Sequence, residues 1–366
     1  MDDFAEFQHP VNRAPYNTVK YSLCPPDTLP LWVADMDLPT DPCIQAAIVE
    51  RAAHPTFGYT IQPPELWQAV AAWLLKKHMW AVDVSSFVFC HNLISATASA
   101  LDAFTEPADA VALLLPLYTP LQDVVTAHGR RLVSIRNGPL MPSQNSQQLQ
   151  FDIGSLRDCL EAEQPRMLIW CSPHNPGGRV WTCSELCKVA ELCKEFDVII
   201  LSDEIHCDLT LWGLQHLPMA LACKQVGYDG VITTCSPGKT WNLAGLHCGF
   251  VVLEHDDMRR KYLSIVEHQF LHFGSVFATV AMMAAYSKGG PWCERLCRYI
   301  ESQILWLELF MSTSKHAFAL LLYMRLICGR RESHTRDQSC AAASIFSSLA
   351  GLQWFESKCK KARREF

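Results

Sequence analysis

An α/β fold with a mostly parallel central sheet flanked by helices is predicted by two observations. Four short apolar runs recur, Ala110-Leu115, Met167-Cys171, Val198-Leu201 and Val231-Thr234, and segments of helical period lie between several of them. Each run is followed by chemically useful polar residues: Tyr118 after the first, Asn175 after the second, Asp203 after the third and Lys239 after the fourth. Ligands of open parallel sheets collect beyond the carboxyl ends of the strands, so a site is expected where these four residues lie.

The remaining elements follow from local patterns. The first forty or so residues are rich in proline and aromatic side chains without clear periodicity, which predicts a segment that wraps over another surface. Glu65 to His78 reads as an amphipathic helix: Pro63-Pro64 precede it, and Leu66, Ala69, Val70, Trp73 and Leu74 repeat at helical spacing. Gly138 to Gln150, with its prolines, serines and glutamines, reads as a surface loop. Thr182 to Asp197 reads as a crossover helix, with Ser184 as cap and Leu186, Val189, Ala190 and Cys193 on one face. After about Glu301 the composition shifts to the charged run Arg330 to Asp337, a Ser/Ala segment and a basic tail, Lys358 to Arg364, read as a solvated helix end.

The chain has 366 residues, 49% of them hydrophobic, enough for one large domain and a smaller one. Its net charge of −6, without a basic run interleaved with aromatics, argues against a nucleic-acid partner. Met1 to Glu6 is acidic and lacks an apolar signal core, and the apolar stretch Ala317 to Cys328 is too short to span a bilayer. A cytoplasmic protein without a membrane partner is expected. The 17 cysteines are scattered through apolar patterns and read as reduced, packed thiols. Cys183, Cys187 and Cys193 lack a second ligand pair at finger spacing, so no metal is expected.

Lys239 stands in Ser236-Pro237-Gly238-Lys239-Thr240-Trp241-Asn242, just beyond an apolar run. A lysine held there can condense with an aldehyde. A pyridoxal phosphate site needs a ring to stack on the pyridine, an amide for its phenolic oxygen, a carboxylate for its nitrogen and an amine for its aldehyde. Tyr118, Asn175, Asp203 and Lys239 offer these in order. An ionised Asp203 beside the ring nitrogen would favour the charged ring and lower the cost of a carbanion at a substrate α-carbon.

Five ordered segments resemble the MalY/PatB cystathionine β-lyase group of the fold-type I aminotransferase superfamily. They are Leu31 to Asp37, Phe57 to Thr60, Ser172 to Trp181, Ser202 to His206 and Ser236 to Leu246. The resemblance covers roughly residues 10 to 300. It implies a pyridoxal phosphate enzyme acting as a homodimer on a small amino-acid substrate. Ser236, Leu93 and Ile94 would hold the phosphate together with Tyr59 of a neighbouring subunit, and His206 would also contact the cofactor. Trp32 and Ala34 would line the substrate mouth. The implied division is an arm and small-domain segment at 1–45, a large cofactor-binding domain at 46–287, and a divergent, incomplete small domain at 288–366.

Departures from the family pattern bear on phosphate and substrate binding. The turn Cys90 to Ala96 lacks the usual glycine, though Asn92 tolerates left-handed geometry. Gly238 stands where serine is common, and His247 where the wider superfamily places a phosphate-binding arginine. For the carboxylate-clamping arginine the candidate is Arg325, in Tyr323-Met324-Arg325-Leu326. Three readings follow: a carbon–sulfur β-lyase on cystathionine or another cysteine S-conjugate, an aminotransferase, and a catalytically impaired binding protein of the same fold.

Overall fold

The computed structural model describes residues 4–9, 11–25, 28, 30–135 and 151–313. The loop expected at 138–150, Arg325 and the basic tail lie outside the described residues. The chain divides into two units, one formed by Asp41–Gly290 and the other by the residues on either side of that span.

The first unit begins with isolated helical turns, Ala5–Phe7, Ala14–Tyr16 and α1 (Val19–Ser22). Side-chain pairing gives this arm its shape. Lys20 is fully buried, and a buried ammonium must be paired; its Nζ donates to Asp37 and to the Asp35 carbonyl, each at 3.0 Å. Arg13 pairs with Asp35 and, at 2.9 Å, with Asp37, while Trp32 Nε1 donates to the Lys20 carbonyl at 3.0 Å. Phe7, buried, sets its ring against Trp292 and Tyr299 at 5.6 and 5.2 Å, and Glu6 pairs with Arg295. The start of the arm therefore packs against Trp292, Arg295 and Tyr299.

The second unit runs α2 (Pro42–Ala53), α3 (Pro64–His78), β1 (Phe87–Cys90), α4 (Leu93–Phe104), β2 (Ala110–Leu114), α5 (Thr119–Ala127) and β3 (Arg131–Ile135). It continues through α6 (Ile153–Glu163), β4 (Met167–Cys171), α7 (Cys183–Glu195), β5 (Ile199–Asp203), α8 (Met219–Gln225), β6 (Val231–Cys235) and α9 (Pro237–Thr240). Then come β7 (Gly249–Val252), α10 (Asp256–His268) and α11 (Val276–Lys288), before α12 (Gly290–Thr313) leads back to the first unit. Among the described residues no helix is long and apolar enough to cross a membrane, and no disulfide joins the described cysteines.

Seven strands form one sheet in the order β1-β7-β6-β5-β4-β2-β3. The block from β6 to β3 is parallel, and β7 runs antiparallel to both of its neighbours. The mostly parallel α/β sheet is as expected, and the four apolar runs are β2, β4, β5 and β6. Strand residues alternate between two cores. Val111, Leu113 and Ile169 pack with α4, α5 and α10 on one face; Ala110, Ala112, Leu168 and Trp170 pack with α6, α7 and α8 on the other.

The crossover helix α7 corrects one expectation. Thr182, not Ser184, is the cap: Glu185 N donates to Thr182 Oγ1 at 3.3 Å, and Thr182 N donates to Glu185 Oε2 at 2.9 Å. This reciprocal box satisfies two amides that the helix start leaves unpaired. Cys183 and Cys187 do share a face, their sulfurs 3.9 Å apart. Replacing Thr182 by alanine is expected to cost about 1 kcal/mol in chemical denaturation, and Ser184→Ala much less.

Candidate active site

Sheet register assembles the site. β4 and β5 pair with Cys171 beside Asp203, and β5 and β6 pair with Asp203 beside Thr234. The loops carrying Asn175, Asp203 and Lys239 therefore leave adjacent strands at one rim, and Tyr118 follows β2 on the far side of β4. Because β7 is antiparallel to both β1 and β6, β1 runs parallel to β6, and its carboxyl end opens on the same rim. That brings the start of α4 to the group.

Lys239 rides on α9, a single helical turn fixed at its start. Ser236 Oγ accepts from Gly238 N at 2.9 Å and donates to the Cys248 carbonyl at 2.6 Å. Asp203 is 5% exposed, and its carboxylate accepts from Ile205 N at 3.2 Å. Burial pushes its pKa up to about 6; Glu204 adds to the rise, while the Ile205 amide and the charge of Lys239 oppose it. Asp203 and Lys239 thus lie within electrostatic reach of one another. His206 shares this environment: burial, then the Lys239 charge, lowers its pKa to about 3, which keeps the imidazole neutral.

The α4 start offers an anion cradle. Leu93 and Ile94 are its first two residues, where an α-helix leaves amides unpaired and its dipole favours negative charge. Asn92 contributes differently from expectation: it is extended, at φ −158°, and its side chain caps the helix by accepting from Ser95 N at 2.9 Å. No left-handed residue is required at that position. Gly249 lets the rim close up, since a Cβ there would stand 2.9 Å from the Cys235 carbonyl and 3.1 Å from both Cys90 Sγ and Leu93 Cδ1. His247 lies near this end, for burial and then His247 lower the pKa of His91. The Ser236 hydroxyl proton is committed to Cys248, so Ser236 must release that bond to donate elsewhere.

Other expected residues are placed as follows. Tyr118, 40% exposed, precedes α5, and Asn175 is partly buried, its backbone N–H donating to Cys171 Sγ at 3.4 Å. Tyr59 is 95% exposed, its ring 5.6 Å from that of Phe273. Trp32 and Ala34 belong to the arm, which is a separate unit.

Sequence reasoning missed two buried acid–imidazole pairs behind the rim. Glu204, 1% exposed, accepts from Ser202 Oγ at 2.8 Å and Met219 N at 2.9 Å, and its other oxygen lies 2.7 Å from His216 Nε2. Asp208 meets His78 Nε2 at 2.8 Å. The run Asp203 to Asp208 carried the signal, three acids in six positions at the end of a buried strand; their partners are distant in sequence.

These groups fit pyridoxal phosphate by donor type. A buried carboxylate with a raised pKa lacks full compensation, and a protonated ring nitrogen would supply it. Helix amides suit a phosphate, and the charge of the amine is felt at the carboxylate.

Residues 26–302 match the family Aminotransferase class I and II. The chain is 37% identical over 287 residues to the cystathionine beta-lyase PatB of Bacillus subtilis, covering 78% of this chain and 73% of that protein. It is 30% identical to the protein MalY of Escherichia coli, covering 77% and 70% of the respective chains. Among solved structures, it is similar to a PLP-bound C-S lyase from Staphylococcus hominis, with 27% identity and a TM-score of 0.77 over 84% of this chain and 77% of that one. It is also similar to a PLP-bound putative aminotransferase from Clostridium difficile, with 25% identity and a TM-score of 0.82 over 95% and 98%. With its sheet, its rim and these likenesses, the chain belongs to the aminotransferase class I and II family, in the MalY/PatB group.

Proposed function

We infer that this protein is a pyridoxal phosphate-dependent carbon–sulfur β-lyase acting on cystathionine or a related cysteine S-conjugate. The observation that carries the reading is a buried Asp203 that feels the charge of Lys239 at the carboxyl rim, in a chain 37% identical to a cystathionine beta-lyase. With one water consumed, the products are a thiol, pyruvate and ammonia.

Bound at the rim, pyridoxal phosphate supplies a sink for the electron pair released at the substrate α-carbon. The chain's residues do the rest. Lys239 Nζ would hold the cofactor and serve as general base for the α-proton. Asp203 would keep the ring nitrogen protonated, Tyr118 would stack on the ring and Asn175 would donate to its phenolic oxygen. His206, kept neutral by burial and by Lys239, would contact the cofactor without adding positive charge. The Leu93 and Ile94 amides and Ser236 would bind phosphate, and Trp32 and Ala34 would line the substrate mouth. Arg325, the sequence candidate for the substrate carboxylate, lies outside the described residues.

The active form is a cytoplasmic homodimer on this reading. Free thiols suit a reducing compartment. Tyr59 stands almost fully in solvent with Phe57 and Ile61 exposed beside it, which suits a side chain that reaches a second copy's phosphate.

Purified protein given pyridoxal phosphate is expected to absorb visible light and to release pyruvate from cystathionine without any keto acid, and Lys239→Ala to lose both. Strict dependence on an added keto acid would replace the lyase by an aminotransferase, and a colourless wild type would remove both. Mixing inactive Lys239→Ala and Tyr59→Ala subunits should restore about a quarter of the activity, since half the dimers of a two-fold assembly then hold one intact site. In cofactor-free protein, Asp203 titrates above its unfolded value, so its contribution to stability is present at about pH 4 and lost as pH rises through about 6. Comparing denaturation of wild type and Asp203→Asn across that window should show this loss in the wild type alone.

A further inference from the structure

Behind the rim, Asp208 ties three elements together. It is 2% exposed, and both of its carboxylate oxygens are hydrogen-bonded. Oδ1 accepts from Trp73 Nε1 at 2.9 Å and meets His78 Nε2 at 2.8 Å, both from α3; Oδ2 accepts from Thr240 Oγ1 at 3.0 Å. Thr240 is the residue after Lys239 and the last of α9. The next residue is fixed as well: Trp241 Nε1 donates to the Gly289 carbonyl at 2.9 Å, and its ring meets Trp73 at 5.3 Å.

His78, Cys207 and Asp208 have the donor types of a metal centre and lie together, but their hydrogen bonding points elsewhere. Asp208 already accepts from three groups. Burial alone would lower the His78 pKa, yet Cys207 and Asp208 outweigh it and push it up to about 9, and a protonated imidazole cannot bind a metal. Burial likewise raises Asp208, and the bonds from His78, Trp73 and Thr240 bring it below the usual carboxylate range. The cluster is an ion pair with a hydroxyl attached.

We propose that Asp208, oriented by His78 and Trp73, is a positioning residue for Lys239, acting through the Thr240 hydroxyl to clamp the far end of the one-turn helix that carries the amine. α9 has four residues and too few internal hydrogen bonds to hold its own shape. Ser236 secures its start by accepting from Gly238 N, and Thr240 secures its end through Asp208. A reacting group must be held within about 0.5 Å by surrounding structure, and a one-turn helix needs both anchors for that. The inference rests on the reading of Lys239 as the reacting amine.

Thr240→Val keeps the shape and removes the hydroxyl; Thr240→Ser keeps the hydroxyl. The first readout is the rate at which visible absorbance grows when pyridoxal phosphate is added to apoprotein. The second, on apoprotein alone, is acylation of Lys239 by an amine-reactive ester, followed by peptide mass spectrometry. Thr240→Val is expected to lower both rates by roughly tenfold and to melt below wild type, since Asp208 Oδ2 loses its hydroxyl donor, with Thr240→Ser returning rates and melting to near wild type. Thr240→Val behaving as wild type in both readouts, or Thr240→Ser failing as valine does, overturns the proposal. A lowered melting temperature with unchanged Lys239 reactivity also overturns it, since the hydroxyl is then merely structural. Asp208→Asn should reproduce the valine effect; if it does not fold, the Thr240 pair decides. A wild type that never gains colour sinks the lyase reading instead, and the apoprotein acylation still decides the clamp.

Discussion

A carboxylate removed from water must be compensated, and the rim faces that requirement three times within six residues. Asp203, Glu204 and Asp208 all leave β5 buried. Glu204 is settled by a hydroxyl, a backbone amide and His216; Asp208 by an imidazolium, an indole and a hydroxyl. Asp203 alone is left with a single backbone amide and a nearby amine, and it is the one whose pKa is pushed up. The site is the place where compensation was left incomplete. The two acid–imidazole pairs touch, the His78 and His216 rings meeting edge to face at 5.3 Å.

The sheet explains why these acids meet an amine. Parallel strands carry their carboxyl ends to one side, and the reversed β7 lets β1 join that side from beyond it. A helix start with free amides then stands across from a carboxylate, which gives the rim opposite electrostatic ends. A zwitterionic aromatic ligand, with phosphate at one end and a basic nitrogen at the other, matches that polarity.

Much of this was legible in the sequence, for physical reasons that differ by element. β4 was readable to the residue because a strand buried on both faces is a continuous apolar run with polar punctuation. β3 was not, since as an edge strand it exposes Arg131 and Ser134, and β1 and β7 are only four residues long. Thr182 and Ser184 are both good caps; the glutamate three positions after Thr182 distinguished them and was available to be read. Asn92 was rightly singled out, but for its backbone tolerance when its side chain was the point. The His78–Asp208 pair was out of reach, because its partners stand 130 positions apart and His78 looks like an ordinary basic helix end until α3 is packed.

Clamping α9 at both ends has a consequence for motion. Once Ser236 and Thr240 are tied down, the main chain at 239 cannot travel, and any displacement of the amine is a rotation about the four carbon–carbon torsions of its own side chain. The stroke of the amine is then a few ångströms, and it is swept about a fixed pivot.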